Sequence, residues 1–492
     1  ARLHRAKENH EKVLIFGDYD VDGVTSSALM HHTLKRFGLQ VTNHIPHRMQ
    51  DGYGMNDRIG EIAKVRGATL VVAVDCGITA FEEVAQLNTL GIDVIILDHH
   101  EPSAEGLPPA LAVIDPKRSD CRYPFKHLAS VGMVAKFTQA LLGEMIAEDW
   151  GLVALGTIAD VVPLRGENRI FVKIGLPQIG LTTRKGLGAL LDVAKIKGKE
   201  IKPHFIGFIL GPRINAMGRM DTAQRALDLF LSEDHQEAYE LAKAMDSLNT
   251  QRQKLQRSII EEAKEIIERE VNFKDHKVIV LSKAGWHKGV LGIVASHVTE
   301  KYYRPTIVIS VEDGIGTASA RSIDGFHLHE ALTHCGEILE NFGGHKLAAG
   351  LRIREENIDQ FRQQINEFAE RILEAHHLTP RLDIDSDVPL HRINLEFAKL
   401  INHLEPYGEG NSIPVFCSRQ LTLKSQPAVL GKDTLKFWVT DGKITVQVVG
   451  FGMGKYREFL SLGQKVDLAY EVGIDDWNKD PIVQLKLRDI KI

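Results

Sequence analysis

The chain has 492 residues, enough for about three domains of ordinary size. Apolar residues make up 43% and charged residues 25% of the sequence, which is typical of folded globular proteins and excludes a fibrous or largely disordered chain. The formal net charge of -5 predicts no nucleic-acid partner by itself, although a local basic groove is compatible with it.

The first residues, ARLHRAKENHEK, are polar where a secretion signal would need an apolar core. No apolar stretch approaches the roughly 20 residues of a membrane span. The four cysteines are scattered without a CxxC pair, which argues against a disulfide framework and a zinc-thiolate site. We therefore expect a cytoplasmic protein with no membrane partner.

Between residues 13 and 116, short apolar runs alternate with segments of helical spacing. Runs this short and rich in Val and Ile are typical of strands buried on both faces. The runs are VLIF (13–16), LVVAV (70–74), VIIL (94–97) and LAVI (111–114). The alternation predicts a parallel, doubly wound sheet of the α/β class, and we place this first domain, with the mostly helical stretch that follows, at residues 1–232.

Three further segments follow the first domain. Apolar residues repeat at helical spacing from Asp234 to Glu270, which predicts one long helix, or two in tandem, at 233–271, that connects two lobes. A second α/β domain is expected at 272–378. Alternation of period two then predicts a small β-barrel at 379–492, in which Asp441-Gly442 forms a two-residue hairpin turn.

Acidic and imidazole side chains follow three of the apolar runs, at the point where each predicted strand ends. They are Asp18, Asp20, Asp22, Asp75, Asp98, His99 and His100, and Asp160 ends another apolar stretch. Because the carboxyl ends of parallel strands line one crevice, we expect these side chains to converge. Taken singly, each Asp has an alternative explanation as a helix cap, and the His pair as packed or solvated residues.

The convergence itself points to bound metal. Five or more carboxylates in one crevice would repel each other strongly unless a cation lay among them. Carboxylates mixed with imidazole, without thiolate, suit Mn²⁺ or Mg²⁺. The ligand count leaves room for two ions, an arrangement common in phosphoester hydrolysis, with Asp75 as the candidate bridging ligand.

Several motifs carry a resemblance to a known family. DYDVDG, VDCG, LDHH and IADVVPL, in this order, resemble the four motifs of the DHH phosphoesterase superfamily, and FGGHKLAAGL (342–351) resembles the DHH-associated C-terminal domain. The strings HRMQDGYGMN (47–56), GPRINAMGRMDTA (211–223), WHKGVLGIVASH (286–297) and ASARSIDGFHLHEAL (318–332) are similar to the RecJ family within it. The resemblance implies a DHH-type parallel-sheet domain, a DHH-associated domain and an OB-fold barrel. It also implies a single-strand-specific 5′ to 3′ DNA exonuclease of DNA repair and recombination that releases 5′ mononucleotides.

The resemblance also implies roles for particular residues. The implied metal ligands are Asp20, Asp22, Asp75, His99 and Asp160, with Asp18 and His100 close to or in the coordination shell. Other members of the superfamily often carry a His where this chain has Phe16, so Asp18 or a water would fill that position here.

A second set of residues is expected to hold the substrate. Gly343 and Gly344 could expose backbone N–H groups to a phosphate, His345 would then lie beside the scissile group, and Arg321 suits a bidentate phosphate contact. The alternative is that the glycines only shape a loop and His345 is packed. We count His345, Arg321 and His100 as candidate catalytic residues.

Three arginines and one tryptophan complete the candidate substrate site. Arg48 is a candidate for the terminal 5′ phosphate, and Arg213 and Arg219 either bind backbone phosphates or form surface ion pairs. Trp438, beside Lys436 on one face of the predicted hairpin, is a candidate stacking platform for bases, or else a Trp covered by a neighbouring domain.

The expected partner is single-stranded DNA, joined by a single-strand-binding protein and a helicase, and we expect a monomer. Two other functions stay open. One is a small-phosphate or nano-RNA phosphoesterase of the same superfamily, although those chains lack a third, OB-like domain. The other is a non-catalytic single-strand-binding scaffold, although such proteins lose metal carboxylates that are all present here.

Overall fold

A computed structural model describes residues 1–47, 54–475 and 481–492. These residues form two compact units, described separately below. Unit 1 comprises Ala1–Asp160 and Ile174–Pro380, and unit 2 comprises Val161–Lys173 and Arg381–Ile492. None of the described helices combines the length and the apolar character that a bilayer span requires.

The first sheet of unit 1 has five parallel strands in the order β2-β1-β3-β4-β5. The strands are β1 (Lys12–Gly17), β2 (Gln40–His44), β3 (Ala68–Val74), β4 (Asp93–Leu97) and β5 (Ala112–Ile114). β2 is added on one side of β1, and β3, β4 and β5 follow on the other side, so the strand order switches between β1 and β3 and a crevice forms at the carboxyl ends of these two strands. The prediction of a parallel doubly wound sheet is confirmed.

The two edge strands differ from the prediction. β2, with the sequence QVTNH, is only partly buried, and so it has no continuous apolar run that would reveal it. The run 111–114 was expected to be buried on both faces, and this is wrong. β5 lies at the sheet edge, where Leu111 and Ile114 are 55% and 41% exposed.

Helices cover the first sheet and continue beyond it. They are α1 (Arg2–Glu8), α2 (Val21–Phe37), α3 (Ile59–Arg66), α4 (Phe81–Thr89), α5 (Ser130–Leu142), α6 (Asp149–Ala159), α7 (Gly166–Gly180), α8 (Lys185–Val193), α9 (Pro203–Phe205), α10 (Gly211–Met220) and α11 (Gln224–Leu231), with a π-helical turn at Ile206–Leu210. α2 packs against both α5 and α6. It begins at Asp20, whose side chain accepts a hydrogen bond from the Gly23 amide at 3.0 Å. Asp20, a predicted metal ligand, is therefore also a helix N-cap.

A single long helix, α12 (His235–Glu270), follows, which is one of the two arrangements that the sequence left open. Asp234 caps it by accepting a hydrogen bond from the Glu237 amide at 2.8 Å. At 1.5 Å per residue its 36 residues span about 54 Å. α12 packs against α8, α10 and α11 and also against elements of the second sheet, and so it joins the two α/β halves of unit 1.

The second sheet of unit 1 is mixed, in the order β6-β7-β8-β10-β9. β6 and β7 are parallel, and the other pairs are antiparallel. Its strands are β6 (Ile279–Ala284), β7 (Thr306–Glu312), β8 (Ile315–Arg321), β9 (Leu339–Gly344) and β10 (Ala348–Arg354), and its helices are α13 (Leu291–Tyr302), α14 (Leu328–His334) and α15 (Ile358–Ile372). Phe326 and Phe361, both fully buried, lie in the core between this sheet and its helices.

α10 lies between the two halves of unit 1 and contacts both through backbone atoms. A Cβ added at Gly218 would lie 2.9 Å from the carbonyl oxygen of Tyr19, in the loop after β1. A Cβ added at Gly289, just before α13, would lie 2.5 Å from the carbonyl oxygen of Arg219. Both contacts thus need glycine, because any side chain would force the backbones apart.

Unit 2 contains a seven-stranded barrel in the order β11-β12-β16-β17-β15-β14-β13, closed by pairing of β12 with β14. The strands are β11 (Ser386–Asp387), β12 (Phe416–Leu423), β13 (Ala428–Leu430), β14 (Thr434–Thr440), β15 (Thr445–Phe451), β16 (Lys465–Asp475) and β17 (Ile482–Lys491), and α16 (Leu395–Asn402) accompanies them. The fully buried Phe437 and Tyr470 are part of its core. The predicted third, barrel-like fold is confirmed.

The hairpin between β14 and β15 corrects one prediction. Thr440 pairs with Thr445, so the connection has four residues and not the two expected from Asp441-Gly442. The Asp441 carboxylate accepts hydrogen bonds from the amides of Lys443 and Ile444, at 3.0 and 3.1 Å, and this stabilises the wider loop.

Candidate metal centre and active site

Acidic and imidazole side chains converge at the carboxyl edge of the first sheet. Three overlapping groups bring their ligand atoms within 4.8 Å of one another. They are Asp22 with His99 and Asp160, Asp18 with Asp20 and Asp75, and Asp75 with His99 and His100. The structure thus brings together all the residues that the sequence proposes as metal ligands, from three strand ends and the end of α6.

Asp22 is held from behind by the N-terminus of α5. Its carboxylate accepts hydrogen bonds from the amides of Ser130 at 2.7 Å and Val131 at 2.9 Å. The side chain is buried, and Gly156 of α6 packs against it, because an added Cβ there would lie 2.9 Å from Asp22 Oδ1. Helix N-termini favour negative charge, so α5 fixes the position of this carboxylate.

Asp75 has a backbone conformation that is rare for its residue type. It follows β3 with φ at 64°, in the left-handed region, and its amide donates to the carbonyl of Leu97 at 3.0 Å. Such conformations often mark functional sites, because the surrounding structure must hold them in place. The turn aims Asp75 into the crevice between its neighbours.

His99 faces the carboxylates with a nitrogen that accepts and does not donate. Its Nδ1 lies 3.1 Å from the carbonyl oxygen of Leu128, which can only accept, so Nδ1 carries the proton and Nε2 has the lone pair. Nε2 lies 3.4 Å from Asp75 Oδ1 and 3.7 Å from Asp160 Oδ2. Within the described chain, none of these three atoms makes a hydrogen bond.

Asp98 orients the second histidine. Its Oδ1 lies 2.7 Å from His100 Nδ1 and also accepts the amides of His99 and His100, while Oδ2 accepts the Ile78 amide at 2.9 Å. One buried carboxylate therefore fixes the His100 ring and the loop after β3. Asp98 is a positioning residue for the site.

The pKa values of the cluster are strongly shifted. Burial, together with the charges of its neighbours, raises the pKa of Asp160 to about 9 and that of Asp22 to about 7. Burial and nearby carboxylates likewise raise the pKa of Asp75. Burial and the charge of His100 lower the pKa of His99 to about 3. Burial among like charges therefore makes the ionised form of these carboxyl groups costly unless a cation lies among them.

His100 has the opposite shift. Burial alone would lower its pKa, but the hydrogen bond and charge of Asp98 outweigh that effect, and the pKa of His100 is raised. Burial would raise the pKa of Asp98, and His100 lowers it on balance. The pair thus favours an imidazolium beside a carboxylate.

The donor set fits a hard divalent cation. Three buried acceptor atoms meet with no donor between them in the described structure, and they come from two carboxylates and one neutral imidazole. Oxygen-rich donors with imidazole and without thiolate suit Mn²⁺ and Mg²⁺. Cys76, beside Asp75, directs its sulfur at the Phe16 carbonyl, 4.0 Å away.

The candidate substrate residues of the second sheet lie at one end of it. Arg321 is the last residue of β8 and pairs with Ala348 of β10, whose next residue pairs with Gly344 of β9. The Arg321 guanidinium donates to the Ala320 carbonyl at 2.7 Å. His345 is exposed, and its amide donates to the Ala348 carbonyl at 2.8 Å. Gly343 is also exposed.

The other arginines have different surroundings. Arg213 donates to Asp246 of α12 at 2.9 Å, which is the ion-pair alternative that the sequence left open, and its phosphate role stays a prediction. Arg219 donates to the Gly289 carbonyl at 3.1 Å, between the two halves of unit 1. Arg48 lies outside the described residues.

In unit 2, Trp438 is partly buried on the outer face of β14, opposite the buried Leu435, Phe437 and Val439. Lys436 lies on the same face as Trp438 and is also partly buried. This is the alternation that the sequence predicts for the strand.

Sequence reasoning missed the backbone groups that support the ligands. These are the Leu128 carbonyl and the amides of Ser130 and Val131, in the segment LASV. The segment carries no motif of its own, and the only signal was the helical pattern that begins there. Backbone groups act regardless of side chain, so composition could not identify them.

Three family models match the chain in order. The DHH family N-terminal domain matches residues 12–157, the DHHA1 domain matches 275–371, and the RecJ OB domain matches 384–489. The domain boundaries proposed from sequence stay a prediction, since these matches describe cores and not borders.

Among curated proteins, the chain is 39% identical to the single-stranded-DNA-specific exonuclease RecJ of Bacillus subtilis (strain 168), over 100% of this chain and 62% of that protein. It is 35% identical to the exonuclease of the same name from Haemophilus influenzae, over 98% of this chain and 88% of that protein. The chain thus spans less than two thirds of the first relative and most of the second.

Solved structures agree with these relatives. The structure of RecJ from Thermus thermophilus in complex with Mn²⁺ matches with a TM-score of 0.86 at 30% identity, over 100% of this chain and 70% of that one. A structure of the same Thermus protein in complex with Mg²⁺ also matches, with a TM-score of 0.78. The chain has the three domain types named above, and it is more than 30% identical in sequence to a RecJ protein over most of that protein's length. It therefore belongs to the RecJ family of single-stranded-DNA-specific exonucleases.

Proposed function

We propose that this chain hydrolyses single-stranded DNA from the 5′ end, with Mn²⁺ or Mg²⁺, and releases 5′ mononucleotides in DNA repair and recombination. The observation that carries the proposal is the meeting of Asp75 Oδ1, His99 Nε2 and Asp160 Oδ2, three acceptors that lack a donor among the described residues. Membership of a family whose relatives are named as such exonucleases supports the same activity.

The cluster has enough ligands for two ions. Asp20, Asp22, Asp75, His99 and Asp160 would hold them, with Asp18 and His100 at the edge of the shell. Asp75 belongs to groups on both sides of the cluster, which supports its role as the bridging ligand. When bound, a pair of divalent ions supplies an activated water and charge stabilisation at phosphorus.

The chain's own residues complete the chemistry. His100, held by Asp98, has a raised pKa and so offers a proton or a charged hydrogen bond to an oxygen of the scissile phosphate. Arg321, His345 and the backbone of Gly343 and Gly344 would bind phosphate from the second sheet.

Four further residues would bind the strand away from the scissile bond. Arg48 would bind the 5′ phosphate, and Arg213 and Arg219 the phosphates that follow, for which Arg213 would exchange its contact with Asp246. Trp438 would stack a base on the barrel of unit 2, a contact worth about 1–3 kcal/mol per base. Removing that ring in a Trp438→Ala variant would weaken binding of a long strand and spare hydrolysis of a short one.

The deciding experiment is digestion of an end-labelled single strand with Mn²⁺. A 5′ label should appear in mononucleotides first, duplex DNA should resist, and Asp75→Ala should be inactive. Asp192→Ala, on the exposed side of α8 in an ion pair with Lys197, is the matched control and should keep full activity.

The alternatives make different predictions in the same assay. A small-phosphate or nano-RNA phosphoesterase would cleave dinucleotides or pyrophosphate and leave long strands intact. A non-catalytic scaffold would bind the strand and leave it whole with every metal. Tight binding without metal-dependent cleavage would therefore refute the proposal.

Several finer points belong to the same proposal. These are a monomeric state, a cytoplasmic location, and assistance from a single-strand-binding protein and a helicase. Sedimentation analysis would test the monomeric state, cell fractionation the location, and pull-down with purified proteins the two partners.

A further inference from the structure

Two chain segments leave the first sheet side by side and end in an ion pair at the rim of the crevice. β4 and β5 are parallel neighbours. The Asp98 amide donates to the Ile114 carbonyl at 3.1 Å, so the two segments stay adjacent beyond the strands. Lys117 follows β5 by three residues, and its Nζ lies 3.1 Å from Oε1 of Glu101, the residue after His100.

The turn that carries Lys117 is fixed by a buried group and not by the ion pair. Asp115 is only 2% exposed, and its Oδ1 accepts the Lys117 amide at 2.6 Å. The next residue, Arg118, is engaged elsewhere, because it donates two hydrogen bonds to Asp120 and one to the Val113 carbonyl. The backbone therefore holds Lys117 in place whether or not the ion pair forms.

The charge of Lys117 reaches the candidate metal centre. Burial and the charge of Asp22 raise the pKa of Asp160, and Lys117 opposes this rise. Burial and the charge of His100 lower the pKa of His99, and Lys117 adds to this fall. Since the interaction between two charges weakens with distance and with screening, Lys117 lies close to both candidate ligands.

The ion pair that holds the Lys117 side chain is a weak one. The side chain of Lys117 is 25% exposed and that of Glu101 is 66% exposed. Exposed pairs of this kind change an equilibrium constant by a factor of about five or less. A phosphate oxygen forms a short, charge-assisted hydrogen bond with an ammonium group, so it can displace the Glu101 carboxylate from Lys117.

We propose that Lys117 is a substrate-binding residue that contacts a phosphate of the strand at the metal centre, and that Glu101 competes with this phosphate for Lys117. The inference rests on the proposed function, which brings a phosphodiester to this crevice. Lys117 supplies positive charge at the rim of a site whose carboxylates repel the strand. Removing the charge of Lys117 therefore weakens binding, whereas removing the charge of Glu101 strengthens it.

The test compares two variants that break the same ion pair from opposite sides. With Mn²⁺ and an oligo-dT strand, Lys117→Gln should raise KM about tenfold or more, the effect of losing one charge-assisted hydrogen bond. Glu101→Gln should lower KM, by up to about fivefold. In both variants kcat should change less than KM, because the contact is made before cleavage as well as during it.

Binding of the same strand in EDTA, followed by fluorescence anisotropy, gives an answer that needs no cleavage. Lys117→Gln should weaken binding and reduce the slope of log Kd against log salt by about 0.7, the value for one phosphate contact on a single strand. Glu101→Gln should strengthen binding. The matched control is the pair of Lys264 and Glu261 on α12, whose side chains are 29% and 68% exposed. Lys264→Gln and Glu261→Gln should bind and cleave the strand like wild type.

The outcomes separate this inference from the proposed function. If Lys117→Gln and Glu101→Gln shift binding in the same direction, or if both match the Lys264→Gln control, Lys117 does not bind the strand even in a chain that cleaves it. A wild type that binds the strand without cleaving it would refute the proposed function, and the binding shifts would still decide the role of Lys117. A wild type that does not bind the strand in either buffer would overturn both.

Discussion

Gly156 is the position where one added methyl group should disturb the metal centre most directly. In Gly156→Ala the Cβ would lie 2.4 Å from Thr25 Oγ1, 2.8 Å from Val131 Cγ1 and 2.9 Å from Asp22 Oδ1. The three neighbours lie on α2 and α5, in a fully buried region, so none has free space to move into.

The expected magnitude follows from two opposing effects. Replacing glycine by alanine in a helix interior stabilises the helix by about 1 kcal/mol. Three simultaneous contacts below 3.0 Å correspond to the upper part of the overpacking range, about 3 kcal/mol, so we expect a net loss of about 2 kcal/mol. Because Asp22 must shift by tenths of an ångström, Mn²⁺ affinity should fall by about tenfold or more.

The matched control is Gly188→Ala in α8, where an added Cβ meets no atom within 4 Å. This variant should gain about 0.5–1 kcal/mol from helix propensity alone. Thermal unfolding in EDTA and Mn²⁺ titration of both variants test the argument. If the two substitutions shift the unfolding temperature in the same direction, or if Gly156→Ala binds Mn²⁺ like the wild type, the reasoning about the Asp22 contact is wrong.

Three further predictions concern the charges of the site. In EDTA the unfolding temperature should fall as pH rises, because Asp160, with a folded-state pKa of about 9 against an ordinary 3.8, keeps a proton that the unfolded chain releases between these values. Saturating Mn²⁺ displaces this proton, so the rise in unfolding temperature on adding Mn²⁺ should grow with pH. An unfolding temperature in EDTA that does not change with pH would contradict this. Asp75→Asn keeps a residue type that tolerates φ of 64° and removes a buried charge. At high pH in EDTA this variant should be about 1–2 kcal/mol more stable than wild type, and it should lose metal-dependent cleavage. A variant less stable than wild type under these conditions would count against repulsion between the buried carboxylates. Asp98→Asn removes the partner that raises the pKa of His100. The pKa of His100, measured by NMR titration, should then fall below its ordinary value, because the effect of burial dominates. An unchanged pKa would exclude the pair with Asp98 as the cause of the shift.

The central strands and the acidic cluster could be predicted from sequence because their signals are local. β1, β3 and β4 are buried on both faces, so their composition alone identifies them. Asp75 follows β3 directly, and Asp98 and His99 are the first two residues after β4. Because the strands of a parallel sheet all end at the same edge, the convergence of these side chains follows from the predicted sheet alone.

The remaining features depend on distant contacts. β2 and the exposed face of β5 are edge positions, where neighbours and solvent decide burial. The loop at Asp441 is wider than its Asp-Gly sequence indicates, because the carboxylate accepts loop amides and also lies 2.9 Å from His391 Nδ1, from 50 residues earlier in the chain. No local pattern in the sequence contains such a contact.

The two glycine contacts of α10 have a consequence for how the fold of this chain could diverge. Main-chain contacts at Gly218 and Gly289 place α10 against both halves of unit 1, and exchanges of side chains elsewhere leave these two contacts as they are. A single methyl group at either position would force the contacting backbones apart. We therefore expect relatives with a different spacing at α10 to differ in the backbone of this helix. The distance between α10 and its neighbours should change by a whole rearrangement and not by small side-chain exchanges.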